Sequence, residues 1–576
     1  MILYHINFLP TAFKKTFYKI CILLFFVSIF ELLSIALIIP LFTIILEESN
    51  NLKNYFFYEI FKNQIDYILS FEKYKLLFFF GFIYFIFYQL RSLFIFYVKK
   101  KEILYSMNVQ NFLQETMIDG FIRQRNKIKI DNTLSYYTEI IINQINLYAT
   151  SLRSLFVLFV EILSLLLFVF FLFFYNFKIT FVSIIILAVT FRLYYFFIDK
   201  RIKYAGALRD KAQKLVYETV NIISNFLIEI EIFGSKDKLT NNLIKGLNDN
   251  KKAVVTNQLL LVTPRLILES VSLLLFIILI CFFSYFGDEK VFLSTLAIYV
   301  FVILKSFPSV SKIITSLNQI KYLNIVSNQI RLKLHEFKDT NENFNNRFLS
   351  KKINFRKKIV IEDISVGYKK NNPLINNINL TIKKNDFIGI QGESGSGKSS
   401  LVYTLLGLMK PLNGCVYLDD NLINLSSREW RNNIGYSPQY TKIFKGSLKE
   451  NIGFGLLNED INEIQIKKAI ELSSLNNFVE SLDNGIDSII YEDATNISGG
   501  QRQRIGLARA LYHEPEILML DEFTSSLDKN TEDQILLSLK DLKNYFTIIL
   551  ISHDEKVTGI CNNSFKIENK KLQSTS

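Results

Sequence analysis

Six long apolar stretches constrain this chain more than any other feature of its sequence. Each has about 20 or more mostly apolar residues, the length that an α-helix needs to cross a hydrocarbon core of roughly 30 Å. They lie near residues 18–46, 74–98, 153–174, 179–198, 262–284 and 291–312. The 576 residues are also too many for one hydrophobic core. We therefore expect an α-helical membrane domain of six transmembrane helices and at least one further domain.

The distribution of positive charge predicts which side of the membrane each link faces. The links after the third and fifth stretches are short and carry little positive charge, whereas those after the second and fourth are long and basic. Because Lys and Arg concentrate in cytoplasmic loops, we expect the long links and the N-terminus in the cytoplasm of a multi-pass inner-membrane protein. The formal net charge of +13 then reflects this asymmetry, and we expect no nucleic-acid partner.

The links themselves carry helical patterns. After the second and fourth stretches the helices should run well past the membrane and reverse near residues 121–130 and 221–235. The outward loop at about residues 47–73 has apolar residues at helical spacing, which suits either an amphipathic helix on the outer membrane face or a disordered loop.

Beyond the sixth stretch the pattern changes from membrane helices to an α/β domain. Short β-branched runs alternate with helices there, at residues 359–364, 386–391 and 517–520. The segment just before them is polar and rich in Asn, Lys and Glu, as linkers are. We predict a transmembrane domain at 1–335, a linker at 336–358 and a nucleotide-binding domain at 359–576.

A phosphate-binding loop opens the first helix of the predicted α/β domain. It matches GxxxxGK[ST], follows a strand and precedes a helix, which is the context that this motif requires. Lys398 can reach the outer phosphates of ATP, and the Ser399 hydroxyl can ligate Mg²⁺. The residues of the predicted site are Gly392, Glu393, Ser394, Gly395, Ser396, Gly397, Lys398, Ser399 and Ser400.

A second strand, at residues 517–520, ends in two acids. Asp521 can hold the magnesium ion, and Glu522 can orient or deprotonate the water that attacks ATP. Paired acids after a strand can also be a solvated turn, but the phosphate-binding loop elsewhere in the domain favours a P-loop ATPase that uses ATP and Mg²⁺.

The stretch Ile497-Ser498-Gly499-Gly500-Gln501 resembles the signature sequence of ATP-binding cassette (ABC) transporters, with Ile497 where Leu is more common. The resemblance implies roles for further residues. Tyr368 would stack on adenine, Gln439 would contact the metal and the attacking water, Asp528 would belong to the D-loop, and His553 would contact the terminal phosphate.

The resemblance also implies how the protein assembles. ATP bound to Lys398 of one subunit would be covered by Ser498, Gly499, Gly500 and Gln501 of a second subunit, so a homodimer with two equivalent sites is the simplest assembly. The turns at residues 121–130 and 221–235 would contact the ATPase domain. Glu492 stands before the signature, but the glycines that are usual there in exporters are missing.

The membrane half resembles the bacterial flippase that moves undecaprenyl-pyrophosphate-linked oligosaccharides for protein N-glycosylation. The residues that carry this resemblance are Glu31, Pro40, Arg91, Pro264, Arg265, Leu268, Glu269, Pro308, Ser309 and 313–316. The predicted cargo contacts are the cations Arg91, Arg265, Lys305 and Lys312, with Arg192 on the same basic surface. The alternative is that these cations pair with Glu31, Glu161 and Glu269 or extend to the membrane interface.

Three functions fit these features. The first is an ATP-driven flippase or exporter of a lipid-linked oligosaccharide or similar amphipathic lipid. The second is an exporter of peptide, lipid or drug. The third is an ATP-gated membrane regulator that transports nothing.

Overall fold

The computed structural model of the chain divides into two compact units, residues 1–341 and 342–576. Each unit has hydrophobic core clusters of its own. The residues that the structure describes are 6–37, 73–123, 137–175, 177–286, 289–338, 352–368, 372–393, 395–491, 496–523, 529–554 and 558–575.

Helices build the first unit. Their bounds are α1 Thr11–Ala36, α2 Lys73–Arg123, α3 Ile145–Tyr175, α4 Phe177–Asn225, α5 Leu227–Phe233, α6 Lys236–Phe286, α7 Glu289–Tyr322 and α8 Asn324–Lys338, with a π-helical turn at Glu139–Gln144 before α3. Apolar side chains join them, and the stacked rings of Phe17 and Phe156, whose centroids are 4.9 Å apart, lie in the core between α1 and α3.

Among the described residues, three helical stretches are long and apolar enough to cross a membrane, by length and composition: Thr11–Ser34, Leu77–Ile122 and Glu139–Phe173. They coincide with the first three predicted spans, although residues 38–46 of the first lie outside the described part. The last three predicted spans lie within α4, α6 and α7.

Three helices are much longer than a membrane is thick. The helices α2, α4 and α6 have 51, 49 and 51 residues, which at 1.5 Å per residue gives each about 75 Å. This agrees with the prediction that helices continue past the membrane. At the end of this unit α7 ends at Tyr322 and α8 begins at Asn324, and backbone hydrogen bonds from Leu323 to Gln319 and from Ser327 to Leu323 span the one residue between them. The predicted outer-face helix at 47–73 and the turn beyond Arg123 fall outside the described residues.

A proline inside α6 ties three helices together. Pro264 has no N–H, so the carbonyl of Leu260 lacks its usual helical partner. That carbonyl accepts hydrogen bonds from Tyr194 Oη of α4 and Asn318 Nδ2 of α7, both at 3.1 Å. Asn318 Nδ2 also lies 2.8 Å from Tyr194 Oη. We call these four residues the proline junction.

The described residues of the second unit form three sheets. The strands are β1 Lys358–Val366, β2 Ile375–Lys383, β3 Phe387–Gly392, β4 Asn413–Leu418, β5 Asn421–Leu422, β6 Ile434–Ser437, β7 Gly446–Ser447, β8 Ile489–Ile490, β9 Ile517–Asp521, β10 Thr547–Ile551, β11 Asn563–Glu568 and β12 Lys571–Ser574. The helices are α9 Lys398–Leu405, α10 Arg428–Asn432, α11 Leu448–Ile452, α12 Glu463–Leu472, α13 Asn476–Glu480, α14 Gly499–Tyr512 and α15 Lys529–Leu542.

The largest sheet positions the site. Its order is β12-β11-β3-β10-β9-β6, and β11, β3, β10, β9 and β6 pair in parallel. Every residue of β3, β9 and β10 is buried, which is why these strands are continuous apolar runs. The carboxyl ends of parallel strands meet at one edge of the sheet, so the segments after β3, β6, β9 and β10 converge there.

Candidate functional site

The phosphate-binding loop begins where β3 ends and leads into α9. Gly395 and Gly397 have φ angles of +83° and +101°, which favour glycine at both positions. The buried Lys398 folds back over the loop, and its Nζ donates to the carbonyl oxygens of Gly392 at 2.5 Å and Glu393 at 3.0 Å. The loop thus places the ammonium group of Lys398 against its own backbone carbonyls.

Two hydroxyls of this loop are available to a phosphate group. The buried Oγ of Ser396 has no hydrogen-bond partner among the described residues, an arrangement that an incoming phosphate oxygen would satisfy. Ser399 is exposed at the start of α9, where its hydroxyl fits the predicted magnesium contact. Ser400 is buried, and Ser394 lies outside the described residues.

Glu522 is the centre of the polar cluster at the sheet edge. Gln439, just beyond β6, donates from Nε2 to Glu522 Oε2 at 2.6 Å. Lys398 Nζ lies 3.7 Å and His553 Nδ1 lies 3.8 Å from Glu522 Oε1. Three residues predicted as catalytic from separate parts of the sequence therefore surround the carboxylate of the fourth, Glu522.

The backbone at Glu522 is held in an unusual conformation. Its φ is +44°, in the left-handed region that only a few per cent of non-glycine residues adopt. Its N–H donates to the carbonyl of Ile551 on β10 at 2.8 Å, which ties the end of β9 to the neighbouring strand. The strain is therefore offset by a specific contact that fixes the direction of the carboxylate.

Asp521 lies beside this cluster in a less polar environment. Burial, followed by the charge of Glu522, raises its pKa, while Lys398 and a hydrogen bond from Tyr436 act in the opposite direction. Burial likewise raises the pKa of Tyr436. A carboxylate that is costly to keep ionised gains stability from a nearby cation, which fits the predicted contact of Asp521 with Mg²⁺.

The signature residues form the first turn of α14. The N–H of Gln501 donates to Ser498 Oγ at 3.2 Å, and the N–H of Ser498 donates to Gln501 Oε1 at 2.8 Å. This reciprocal capping box orders the helix start. Ser498 and Gly499 are exposed, whereas Gly500 is buried. The positive end of the α14 dipole is therefore open to an anion.

Gln503 links the signature helix to the segment of Gln439 and was not identified from the sequence. Its side chain is 2% exposed. Nε2 donates to the carbonyl of Gln439 at 2.6 Å, and Oε1 accepts from Thr441 Oγ1 at 2.9 Å. It acts as a positioning residue. Its only sequence signal is its place in α14, five residues after Ser498, because the partners lie more than 60 positions away.

The remaining predicted nucleotide contacts are only partly described. The Tyr368 side chain is 75% exposed, as a ring that stacks on adenine must be. Asp528 and Glu492 lie outside the described residues.

Three of the four predicted cargo cations form ion pairs within the chain. Arg91 Nη2 lies 3.2 Å from Glu31 Oε1, Arg265 Nε lies 2.9 Å from Glu269 Oε1, and Lys312 Nζ lies 2.6 Å from Glu161 Oε1. The Arg265 and Lys312 side chains remain 76% and 56% exposed. These three cations thus pair with the acids Glu31, Glu269 and Glu161, as the alternative interpretation predicted. Their contact with cargo stays a prediction. The side chain of Lys305 lies outside the described part.

The reversal predicted at residues 221–235 contains the short helix α5, whose apolar side chains are uncovered within its own unit. The exposed fractions are 51% for Phe226, 62% for Leu227, 72% for Ile228, 70% for Ile232 and 76% for Phe233. A cluster of this kind is typical of an interaction surface, and the contact of this turn with the ATPase domain stays a prediction.

A family model and a solved structure are similar to this chain. Residues 375–525 match the family model described as ABC transporter. A solved bacterial Atm1-family ABC exporter with ATP bound has a TM-score of 0.72 and 18% identity, and covers 98% of this chain and 95% of that chain. The chain therefore has the fold of an ABC exporter: a helical transmembrane domain and a P-loop ABC ATPase domain.

Curated relatives match over a shorter segment. A probable ABC transporter ATP-binding/permease protein of Haemophilus influenzae is 35% identical over 216 residues, 37% of this chain and 39% of that protein. The ATP-dependent lipid A-core flippase of Saccharophagus degradans is 36% identical over 197 residues, 34% and 33% of the two chains. The lactococcin-A transport/processing ATP-binding protein of Lactococcus lactis is 35% identical over 263 residues, 44% and 36% of the two chains. The matches span 33% to 39% of these relatives' length.

Proposed function

We propose that this chain is a half-transporter that hydrolyses ATP to move a substance across a membrane. The observation that carries the proposal is the cluster around Glu522, where Gln439 lies at 2.6 Å and Lys398 at 3.7 Å. A base, an amide that can hold water and a phosphate-binding ammonium group meet there, as phosphoryl transfer to water requires.

The residues of this chain would act in a definite order. Lys398 exchanges its loop carbonyl partners for the outer phosphates, which gives a charge-assisted contact. Gln439 and Glu522 then position the attacking water, and Glu522 accepts its proton. His553, whose Nδ1 lies 3.8 Å from the same carboxylate, would contact the terminal phosphate. Mg²⁺ bound near Ser399, Gln439 and Asp521 would neutralise charge on the phosphates.

Two copies would make the complete ATPase. The exposed start of α14 presents Ser498, Gly499 and the positive helix end, and in a two-fold dimer it would cover the ATP of the other copy. ATP would then hold the two ATPase domains together, and hydrolysis would release them. The exposed apolar surface of α5 would carry this change to the membrane helices.

We further propose a lipid-linked oligosaccharide or similar amphipathic lipid as the cargo, in a multi-pass inner-membrane protein with the ATPase domain in the cytoplasm. Arg265 and Lys312 support this, since they keep large exposed fractions although each is paired, and cations suit a pyrophosphate group. The named relatives include a lipid A-core flippase and a lactococcin-A transport protein, so peptide export is the second candidate.

The test measures ATP turnover by purified protein in proteoliposomes. Glu522→Gln should lower turnover about 10²- to 10⁴-fold, the usual contribution of a general base. Glu480→Gln, an exposed acid at the end of α13, is the matched control and should match wild type. If wild type shows no turnover, or Glu522→Gln retains it, the ATPase proposal is wrong.

The cargo is tested in the same vesicles with a polyprenyl-pyrophosphate oligosaccharide and, separately, with a peptide. Stimulation by the lipid-linked sugar, followed by its appearance on the other leaflet, supports the first cargo. Stimulation by the peptide alone supports the second. Turnover that responds to neither, with no transported species, favours an ATP-gated regulator.

A further inference from the structure

Gln391 is a polar residue in a buried strand, and the nucleotide site described above does not use it. It belongs to β3, in which every residue is buried, and it directly precedes the phosphate-binding loop. A buried amide needs a hydrogen-bond partner, and Gln391 donates from Nε2 to the hydroxyl of Thr558. Thr558 is fully buried and lies just beyond His553. The amide therefore connects the strand that leads into the loop with the segment that follows the histidine.

Thr558 passes this restraint to the backbone beside His553. Its hydroxyl and its N–H both donate to the carbonyl of Asp554, at 3.4 and 3.3 Å. The N–H of Asp554 donates to Ser552 Oγ at 3.0 Å, and the N–H of Ser552 donates to the carbonyl of Ile390 on β3 at 3.2 Å. The backbone on both sides of His553 is therefore tied to the end of β3, at Ser552 directly and at Asp554 through Thr558.

The packing of Thr558 on the sheet is close. A Cβ added at Gly389 of β3 would lie 2.9 Å from the Cβ of Thr558 and 3.1 Å from Sγ of Cys561. Ser564 Oγ, on the neighbouring strand β11, donates to the carbonyl of Thr558 at 3.1 Å. Thr558 therefore has little room to shift, and its hydroxyl stays within reach of the Gln391 amide.

The position of the His553 imidazole depends on these backbone contacts. Its side chain is 61% exposed, so packing against neighbouring side chains restrains it little, and Nδ1 lies 3.8 Å from Glu522 Oε1. A displacement of roughly 1 Å at a reacting group can lower the rate about 100-fold. The contacts of Ser552 and Asp554 therefore determine whether the imidazole lies where the reaction needs it.

We propose that Gln391 and Thr558 are positioning residues for His553. The amide fixes the Thr558 hydroxyl, which holds the backbone after His553 and so keeps the imidazole beside Glu522. Because β3 also leads into the phosphate-binding loop, one strand end sets the position of both the loop and the histidine. The inference rests on the proposed ATPase function and adds to it two residues that act through His553.

The test measures turnover against ATP concentration for the full-length protein in proteoliposomes. Thr558→Val removes the hydroxyl and keeps the shape, and it should lower kcat about tenfold with KM unchanged, because misplaced groups slow the reaction without weakening binding. Gln391→Leu should also lower kcat, whereas Thr558→Ser keeps the hydroxyl and should behave as wild type. Thr547→Val is the matched control. Thr547 is fully buried at the start of β10, where its hydroxyl accepts from the N–H of Asn385 at 2.9 Å, and its loss should leave kcat unchanged.

Two further measurements separate positioning from a general loss of stability. In a His553→Ala background, Thr558→Val should have no further effect on the residual kcat, because its consequence passes through His553. The chain has four histidines, so His553→Ala assigns the His553 ring signal in solid-state NMR of protein labelled with ¹³C-histidine. That signal should shift or broaden in Thr558→Val and stay unchanged in Thr547→Val.

Several results would overturn the proposal. They are wild-type kcat in Thr558→Val or Gln391→Leu, equal losses of kcat in Thr558→Val and Thr547→Val, the same proportional loss with and without His553, and a His553 ring signal that Thr558→Val leaves unchanged. Absence of turnover in wild type would instead contradict the proposed ATPase function. The ring signal would then still decide whether Thr558 positions His553.

Discussion

Replacing Lys312 with Gln removes one half of an ion pair whose members have different surroundings. The Glu161 side chain is 5% exposed and the Lys312 side chain is 56% exposed. Removing the partner of a fully buried charge costs about 3–5 kcal/mol, whereas an exposed pair contributes about 0.2–1 kcal/mol. Because only the carboxylate is buried, we expect Lys312→Gln to lower the free energy of unfolding by an intermediate amount, about 2 kcal/mol.

The opposite substitution should behave differently. Glu161→Gln keeps the shape of the side chain and removes the buried charge, so its own cost should be small. In that background Lys312→Gln should cost nearly nothing, which gives a coupling free energy of about 2 kcal/mol in a double-mutant cycle. Lys252→Gln is the control, because its Nζ lies 3.7 Å from Asp249 and its side chain is 73% exposed.

The assay is thermal unfolding of the full-length protein in one detergent, followed by helical circular dichroism and converted to free energies at a common temperature. The control should stay within about 0.5 kcal/mol of wild type. The reasoning would be refuted if Lys312→Gln lowered the free energy of unfolding by the same amount with and without Glu161→Gln. The pair would then add no stability, and Lys312 would be a charge held for another purpose, such as contact with cargo.

Other predictions concern the ATPase domain and the proline junction. Gly407→Ala should lower the free energy of unfolding in urea by about 3 kcal/mol. The reason is that φ at Gly407 is +66° and an added Cβ would overlap the carbonyl oxygen of Leu425. Unchanged stability would contradict this prediction. Asn318→Leu should lower the free energy of thermal unfolding by about 2 kcal/mol, because it removes the buried side-chain donor to the Leu260 carbonyl. An unchanged free energy would mean that the proline junction adds no stability. Burial and the charge of Glu522 raise the pKa of Asp521, so its ionised form destabilises the nucleotide-free fold. Asp521→Asn should therefore raise the melting temperature at about pH 7.5, by an amount that shrinks as the pH falls; a pH-independent difference would refute this.

The parts of the ATPase domain that were predictable are those with local causes. The strand Ile517–Asp521 is buried throughout, so its apolar run marks it without knowledge of its neighbours. The phosphate-binding loop is likewise one continuous segment, in which glycine positions and Lys398 follow from backbone geometry. Its residues could be assigned from spacing alone.

Other features depend on contacts between distant positions. Gln439 and Glu522 are 83 positions apart, and the parallel order of β6, β9 and β10 brings their side chains to 2.6 Å. The role of Gln439 came from resemblance to a family and that of Glu522 from its place at the end of a strand, and no pattern predicts the distance. The partners of Gln503 were equally out of reach. Glu161 was among the acids expected to pair with the membrane cations, but its assignment to Lys312 was not predictable, because helix packing rather than spacing selects the partner.

The break at Leu323 had no sequence signal either. The segment from α7 into α8 has no glycine or proline at that point, and its apolar pattern continues without interruption. The interruption is a single residue, and Leu323 is fully buried in the core that α4 shares with α6 and α7.

The proline junction limits how these helices can move relative to one another. In most helices a carbonyl is already bonded within its own turn, so adjacent helices can slide with little loss of hydrogen bonding. At Leu260 the carbonyl depends on Tyr194 and Asn318 from two other helices. A shift of α6 alone would leave that group unsatisfied in an apolar region, at a cost of several kcal/mol. Near Pro264, the helices α4, α6 and α7 should therefore travel as a single rigid body, and any change of shape in the membrane domain should occur at its borders with α1, α2 and α3.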